Sequence, residues 1–146
     1  MLWYQSIPQW FQQLFGRYTW QLPNQNKTVY LTFDDGPHPE ITPWVLNELA
    51  QFNYKATFFC VGDNVRKFPE TYQAILNAQH KTGNHTMHHM KGWTSDDAIY
   101  LDNIKTCSQY INSTLFRPPY GRIKRSQAAA IEKDYQIIMW SLLSCD

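Results

Sequence analysis

Apolar and polar positions fall in blocks along this chain, and the blocks change period. Val29-Tyr30-Leu31-Thr32-Phe33 is a β-branched and aromatic run of strand length. Thr42-Pro43 then reads as a helix start, with Thr42 as N-cap and Pro43 at the first helical position. Val45, Leu46, Leu49 and Phe52 give that helix an apolar face. Residues 56–61, ATFFCV, form a continuous apolar run that suits a buried parallel strand. Pro69 opens a second predicted helix, with Tyr72, Ile75 and Leu76 on one side. Thr94-Ser95-Asp96-Asp97 resembles a capping box, and Tyr100, Ile104, Cys107 and Ile111 follow at helical spacing. Residues 115–121, LFRPPYG, predict a short strand running into a proline-fixed turn. Residues 126–133 predict a helix, and residues 136–140, QIIMW, another strand. The sum is an α/β pattern without internal repeats or linkers. It predicts a parallel sheet, open or rolled into a barrel. The polar motifs follow strands, where such folds bind ligands.

Residues 1–27 stand apart from this alternation. Trp10, Phe11, Leu14 and Phe15 recur at helical spacing and predict a short amphipathic helix packed on the domain. Scarce Lys and Arg argue against attachment to a membrane surface. The stretch has no basic n-region and no continuous apolar segment, so neither a signal peptide nor a transmembrane span is expected. Cys60, Cys107 and Cys145 form no CxxC pair, which fits a reducing compartment and a cytoplasmic location. The chain has 146 residues, enough for one domain. Hydrophobic content of 43% against 17% charged excludes a disordered chain. A net charge of +1 offers no basic field for nucleic acid or anionic lipid.

Three stretches carry candidate chemistry. In LTFDDGPHPE (31–40), Asp34 and Asp35 stand side by side at the predicted end of a strand. Such a pair either caps a turn before Gly36-Pro37 or faces a positive group. In GNHTMHHMKG (83–92), His85 and His89 are four apart, a spacing that lets two imidazoles reach one metal ion. The same pattern also occurs on solvated surfaces. His88 reads as a bystander. Two histidines with Asp35 would make an open three-ligand site for a divalent ion such as zinc. Asp34, left free beside it, could then take a proton from water. In FRPPYG (116–121), Arg117 can clamp a carboxylate, and the stiff Pro118-Pro119 turn can aim the Tyr120 N–H at a developing oxyanion. A surface loop with an ordinary ion pair is the alternative for this stretch alone.

Taken together and in order, TFDDGP (32–37), HTMHH (85–89) and RPPYG (117–121) resemble the polysaccharide deacetylase family, also called the NodB-homology or carbohydrate esterase 4 family. The resemblance runs from about Thr28 onward. It divides the chain into an N-terminal extension, 1–27, and a deacetylase domain, 28–146. It implies a distorted, incomplete (β/α) barrel and a metal-dependent hydrolase that removes N-acetyl groups from N-acetylglucosamine-containing glycans, most often with zinc. On the matching positions it implies Asp34 as base and Asp35, His85 and His89 as metal ligands. Thr86 would brace the histidine loop and Arg117 would orient Asp34. The Tyr120 N–H would bind the oxyanion, and Pro119, Tyr120 and Trp140 would line the substrate site. Asp146 would stand for the acid of the family's fourth motif, with Leu143 where an Asp is common. No residue matches the Leu-x-His motif that bears the general-acid histidine. The expectation is therefore a C-terminally truncated domain with an uncovered sheet edge and a tendency to self-associate. A carbohydrate-binding remnant without turnover is the alternative function.

Overall fold

Among the described residues, five short strands pair in parallel in the order of the sequence: β1 (Leu31–Asp34), β2 (Ala56–Cys60), β3 (Lys81–Asn84), β4 (Leu115–Phe116) and β5 (Gln136–Ile137). The computed structural model describes residues 6–22 and 28–143, and within these the side chains of Phe11 and Leu14 are left aside. Each crossover advances one place in the same direction. That is the wall of an incomplete (β/α) barrel, as expected, and not a doubly wound sheet. The register levels the strand ends. Asp34 pairs with Phe59, and Asn84 pairs with both Cys60 and Phe116. Residues following β1, β3 and β4 therefore leave the sheet close together.

Among the described residues, six α-helices connect and flank the strands: α1 (Gln9–Leu14), α2 (Ile41–Gln51), α3 (Gly62–Lys67), α4 (Pro69–Asn77), α5 (Asp97–Cys107) and α6 (Arg125–Ile131). Two starts differ from expectation. α2 begins before Thr42, and the Thr42 hydroxyl accepts from the His38 N–H at 2.9 Å instead of capping the helix. α5 is capped by Asp96, whose carboxylate accepts the N–H groups of Ala98 and Ile99 at 2.9 and 3.3 Å. Thr94 belongs to the preceding 3₁₀ turn, Gly92–Thr94.

The core has two parts. Leu49, Phe58, Val65, Ile75, Cys107 and Ile111 fill one, and Trp20, Tyr100, Ile104, Phe116, Ile131, Ile137 and Met139 fill the other. Phe52 and Leu76, expected on apolar helix faces, are exposed; Phe52 stacks on Tyr54 at a helix end instead. The N-terminal segment packs on the second cluster through Ile7, Phe15 and Tyr18. Trp10, expected to pack, is 65% exposed.

The expectation of a bare edge after the last strand needs correction. Thr19 forms a parallel bridge with Ile138, and Ser6 an antiparallel bridge with Leu142. Residues 6–19 thus cover the outer side of β5. The outer side of β1 has no strand partner among the described residues.

β3 escapes a reading by propensity because its sequence, Lys-Thr-Gly-Asn, is polar and carries a glycine. Its neighbours explain it. A Cβ on Gly83 would lie 2.5 Å from the Phe59 ring and 3.2 Å from the Leu115 carbonyl oxygen. The glycine leaves room for the ring of Phe59, its partner on β2. Gly83→Ala is expected to destabilise the fold by about 1–3 kcal/mol through overpacking, read as a lower urea midpoint.

Candidate metal centre and active site

Asp34 closes β1, and Arg117 leaves the end of β4. The Arg117 Nη1 donates to Asp34 Oδ1 at 2.8 Å and to Thr32 Oγ1 at 2.8 Å. Its Nη2 donates to the Met139 carbonyl at 2.9 Å, and its Nε to the Ile138 carbonyl at 3.2 Å. The guanidinium lies 4.2 Å from the Phe59 ring centroid and 5.7 Å from that of Trp140. Only 3% of Arg117 is exposed. Burial lowers its pKa, while the charge of Asp34 opposes that shift. The planar fork thus has an acceptor on each of its three nitrogens, and its position is fixed. Asp34 keeps 32% of its side chain exposed, so its carboxylate can still meet solvent or a ligand.

Next to this pair the chain turns sharply. Asp35 has φ 67°, and its carbonyl accepts from the Asn64 side chain at 2.8 Å. Its Oδ1 lies 3.3 Å from His85 Nε2 and 3.0 Å from His89 Nε2. The three potential ligand atoms all lie within 4.8 Å of one another. His85 is buried, and its Nδ1 faces the Arg117 carbonyl at 2.7 Å. A carbonyl only accepts, so Nδ1 carries the proton and Nε2 presents its lone pair toward Asp35. Burial pushes His89 down, which favours the neutral, ligating form. Two imidazole nitrogens and one carboxylate oxygen are the donor set of an open divalent-metal site, so these residues fit such an ion.

The loop after β3 is held by polar side chains. Thr86 is fully buried at φ 65°. Its N–H donates to Asn84 Oδ1 at 2.9 Å, and its hydroxyl accepts the Met90 N–H at 3.0 Å. Asn103 Oδ1 accepts the N–H groups of Met87 and His88 at 2.8 and 3.1 Å. Those bonds send the His88 side chain into solvent. His89 has φ 53°, and its ring packs against Tyr120 at 4.7 Å. Tyr120, at φ 60°, stands on the turn that follows buried Pro118 and Pro119. Trp140 lies beside this turn: a Cβ on Gly121 would meet its ring at 2.8 Å.

The structure thus brings Asp34, Asp35, His85, His89, Arg117, Tyr120 and Trp140 to one end of the sheet, with Thr86 and Pro119 behind them. Asp146 lies outside the described residues, as does Cys145. Sequence reading missed Thr32, Asn84, Asn103, Phe59 and the carbonyls of Ile138 and Met139. Asn103 offered a signal, since it interrupts an apolar face next to Ile104. The backbone acceptors offered none.

A two-histidine, one-carboxylate centre beside an arginine-held carboxylate, at the strand ends of a (β/α) barrel wall, is the class that this fold and site define. The chain belongs to the polysaccharide deacetylase family, whose profile matches residues 21–138. It is 39% identical over 132 residues to a peptidoglycan-N-acetylglucosamine deacetylase of Bacillus cereus, covering 86% of this chain and 62% of that protein. It is 39% identical over 102 residues to a chitooligosaccharide deacetylase of Bradyrhizobium sp., covering 65% of this chain and 47% of that one. The crystal structure of a peptidoglycan N-acetylglucosamine deacetylase in complex with 4-naphthalen-1-yl-N-oxidanyl-benzamide superposes with a TM-score of 0.78 at 33% identity. That match covers 89% of this chain and 64% of the other. The chain therefore spans less than two thirds of the length of these relatives. Among the described residues, no helix is long and apolar enough to cross a membrane.

Proposed function

We propose that this chain carries the chemistry of a zinc-dependent N-deacetylase, which hydrolyses the acetamide of N-acetylglucosamine units in a polysaccharide or glycoconjugate. The observation that carries this reading is the pairing of two sites: a carboxylate locked by a buried arginine, next to a converging Asp35–His85–His89 set. The named activities of the relatives support it. Asp35, His85 and His89 would hold the ion. A divalent cation there supplies Lewis-acid polarisation and makes water easier to deprotonate. Asp34 takes the proton from the attacking water, because the Arg117 guanidinium holds its carboxylate in one position. The Tyr120 N–H donates to the oxygen that becomes negative as the carbonyl carbon turns tetrahedral. Pro119 and Trp140 wall the acetyl group. The C–N bond then breaks, releasing acetate, and the departing glucosamine nitrogen takes up the proton that Asp34 removed from water. Free, buried Cys60 and Cys107 support a reducing and hence cytoplasmic location.

The test is elemental analysis together with acetate release from an N-acetylated chitooligosaccharide and from peptidoglycan fragments. About one equivalent of divalent metal per chain is expected. Turnover should vanish on chelation and return with zinc. Acetate release that survives complete chelation would overturn the reading, and so would no release from either substrate by the zinc-loaded chain.

A further inference from the structure

Arg117 rests on two carbonyls, those of Ile138 and Met139, that lie just past the end of β5. Short β5 does not fix them by itself. On one side the Ile138 N–H donates to the Phe116 carbonyl at 2.8 Å. On the other side stands Thr19. Its N–H donates to the Ile137 carbonyl at 2.8 Å, and its carbonyl accepts the Met139 N–H at 2.8 Å. Its hydroxyl also accepts from the Gln136 side chain at 2.9 Å. Further along, the Ile7 N–H donates to the Ser141 carbonyl at 3.1 Å. Residues 6–20 therefore clasp the backbone on both sides of Trp140. The clasp is anchored by buried Trp20 and by the stacked Phe15 and Tyr18, which pack on the second core cluster. All of this precedes residue 21, where the family match begins.

We propose that this N-terminal clasp, centred on Thr19, positions the base Asp34. It fixes the carbonyls that orient Arg117, and Arg117 orients Asp34. The inference rests on Asp34 being the base of the proposed deacetylation. Its physical ground is the rigidity of the guanidinium fork, whose donors find their acceptors only in plane. Thr19 touches no reacting atom, so it is a positioning residue. Misplacement of a reacting group by about 1 Å costs about 10²-fold in rate, which sets the upper range of the effect.

The experiment compares the zinc-loaded full chain with Thr19→Pro and Thr19→Val. Proline removes the N–H given to Ile137, whereas valine keeps both backbone bonds and loses only the hydroxyl. Thr19→Pro is expected to lower kcat about 10-fold with KM and zinc affinity within about 2-fold, and Thr19→Val to stay within about 2-fold throughout. An activity-independent readout is the nitrogen-15 NMR signal of the Arg117 Nε–H. Its exchange with water should quicken about 10-fold in Thr19→Pro as the Ile138 acceptor loosens, and stay unchanged in Thr19→Val. Should Thr19→Pro not fold, Tyr18→Ala loosens the same clasp and is expected to move both readouts in the same direction. An Arg117 Nε–H signal unchanged in a folded clasp variant would overturn the inference. A quickened signal in a chain without turnover would instead overturn the assignment of Asp34 and leave the Thr19–Arg117 link standing.

Discussion

Asp34→Asn is expected to lower kcat for an N-acetylated oligosaccharide by about 10²–10⁴-fold, the range that a positioned general base supplies. The substitution keeps the shape of the side chain. Its amide oxygen can still accept from Arg117 Nη1, which now lies 2.8 Å from Asp34 Oδ1. It cannot take a proton at neutral pH. The Asp35–His85–His89 set does not include Asp34, so zinc affinity should stay within about 2-fold of the unaltered protein. Steady-state acetate release and a zinc titration on the same preparation check both halves. Full activity in Asp34→Asn would show that another group removes the proton. Lost zinc binding would show that the two aspartates exchange roles.

Arg117→Met is expected to cost about 3–5 kcal/mol of stability, the range seen when one partner of a buried ion pair is removed. Methionine roughly fills the volume but donates nothing. Asp34, about a third of whose side chain meets solvent, would lose its counter-charge, and the carbonyls of Ile138 and Met139 would lose their donors. A loss of this size is a large share of what a domain of this length has to spare. Arg117→Lys should lie between the two, because an ammonium keeps the charge but cannot reach three acceptors in one plane. Urea unfolding of the metal-free proteins measures the difference. A cost under about 1 kcal/mol for Arg117→Met would mean that water replaces the guanidinium in the site.

Much of this arrangement was legible in the sequence, for reasons that can be named. Ala56–Cys60 announced a buried strand through its continuous apolar run, and Pro69 announced a helix by occupying the position where its missing N–H costs nothing. Asp34, Asp35, His85, His89 and Arg117 were legible because three spaced motifs agreed, although each alone had an ordinary explanation. What stayed hidden was tertiary. β3 is a strand because Phe59 lies over Gly83, and no local propensity records that contact. The cover on β5 depends on Thr19 meeting Ile138 across more than a hundred residues. The acceptors that lock Arg117 are backbone carbonyls, and carbonyls have no letter in a sequence.

The left-handed backbone at the centre has a consequence for how this protein can be improved. Asp35, Thr86, His89 and Tyr120 all have φ between 53° and 67°, a conformation that costs a non-glycine residue about 1–3 kcal/mol. Four such residues surround one site, so the places where heat resistance is most easily gained include the proposed metal ligands Asp35 and His89 and the proposed oxyanion donor, Tyr120. A selection for thermotolerance alone would drift toward glycine or asparagine there, and would enrich sturdy chains with a dismantled centre. Stabilisation without that drift has to come from the periphery, for example the exposed Trp10 and Phe52, where nothing in the chemistry depends on the side chain.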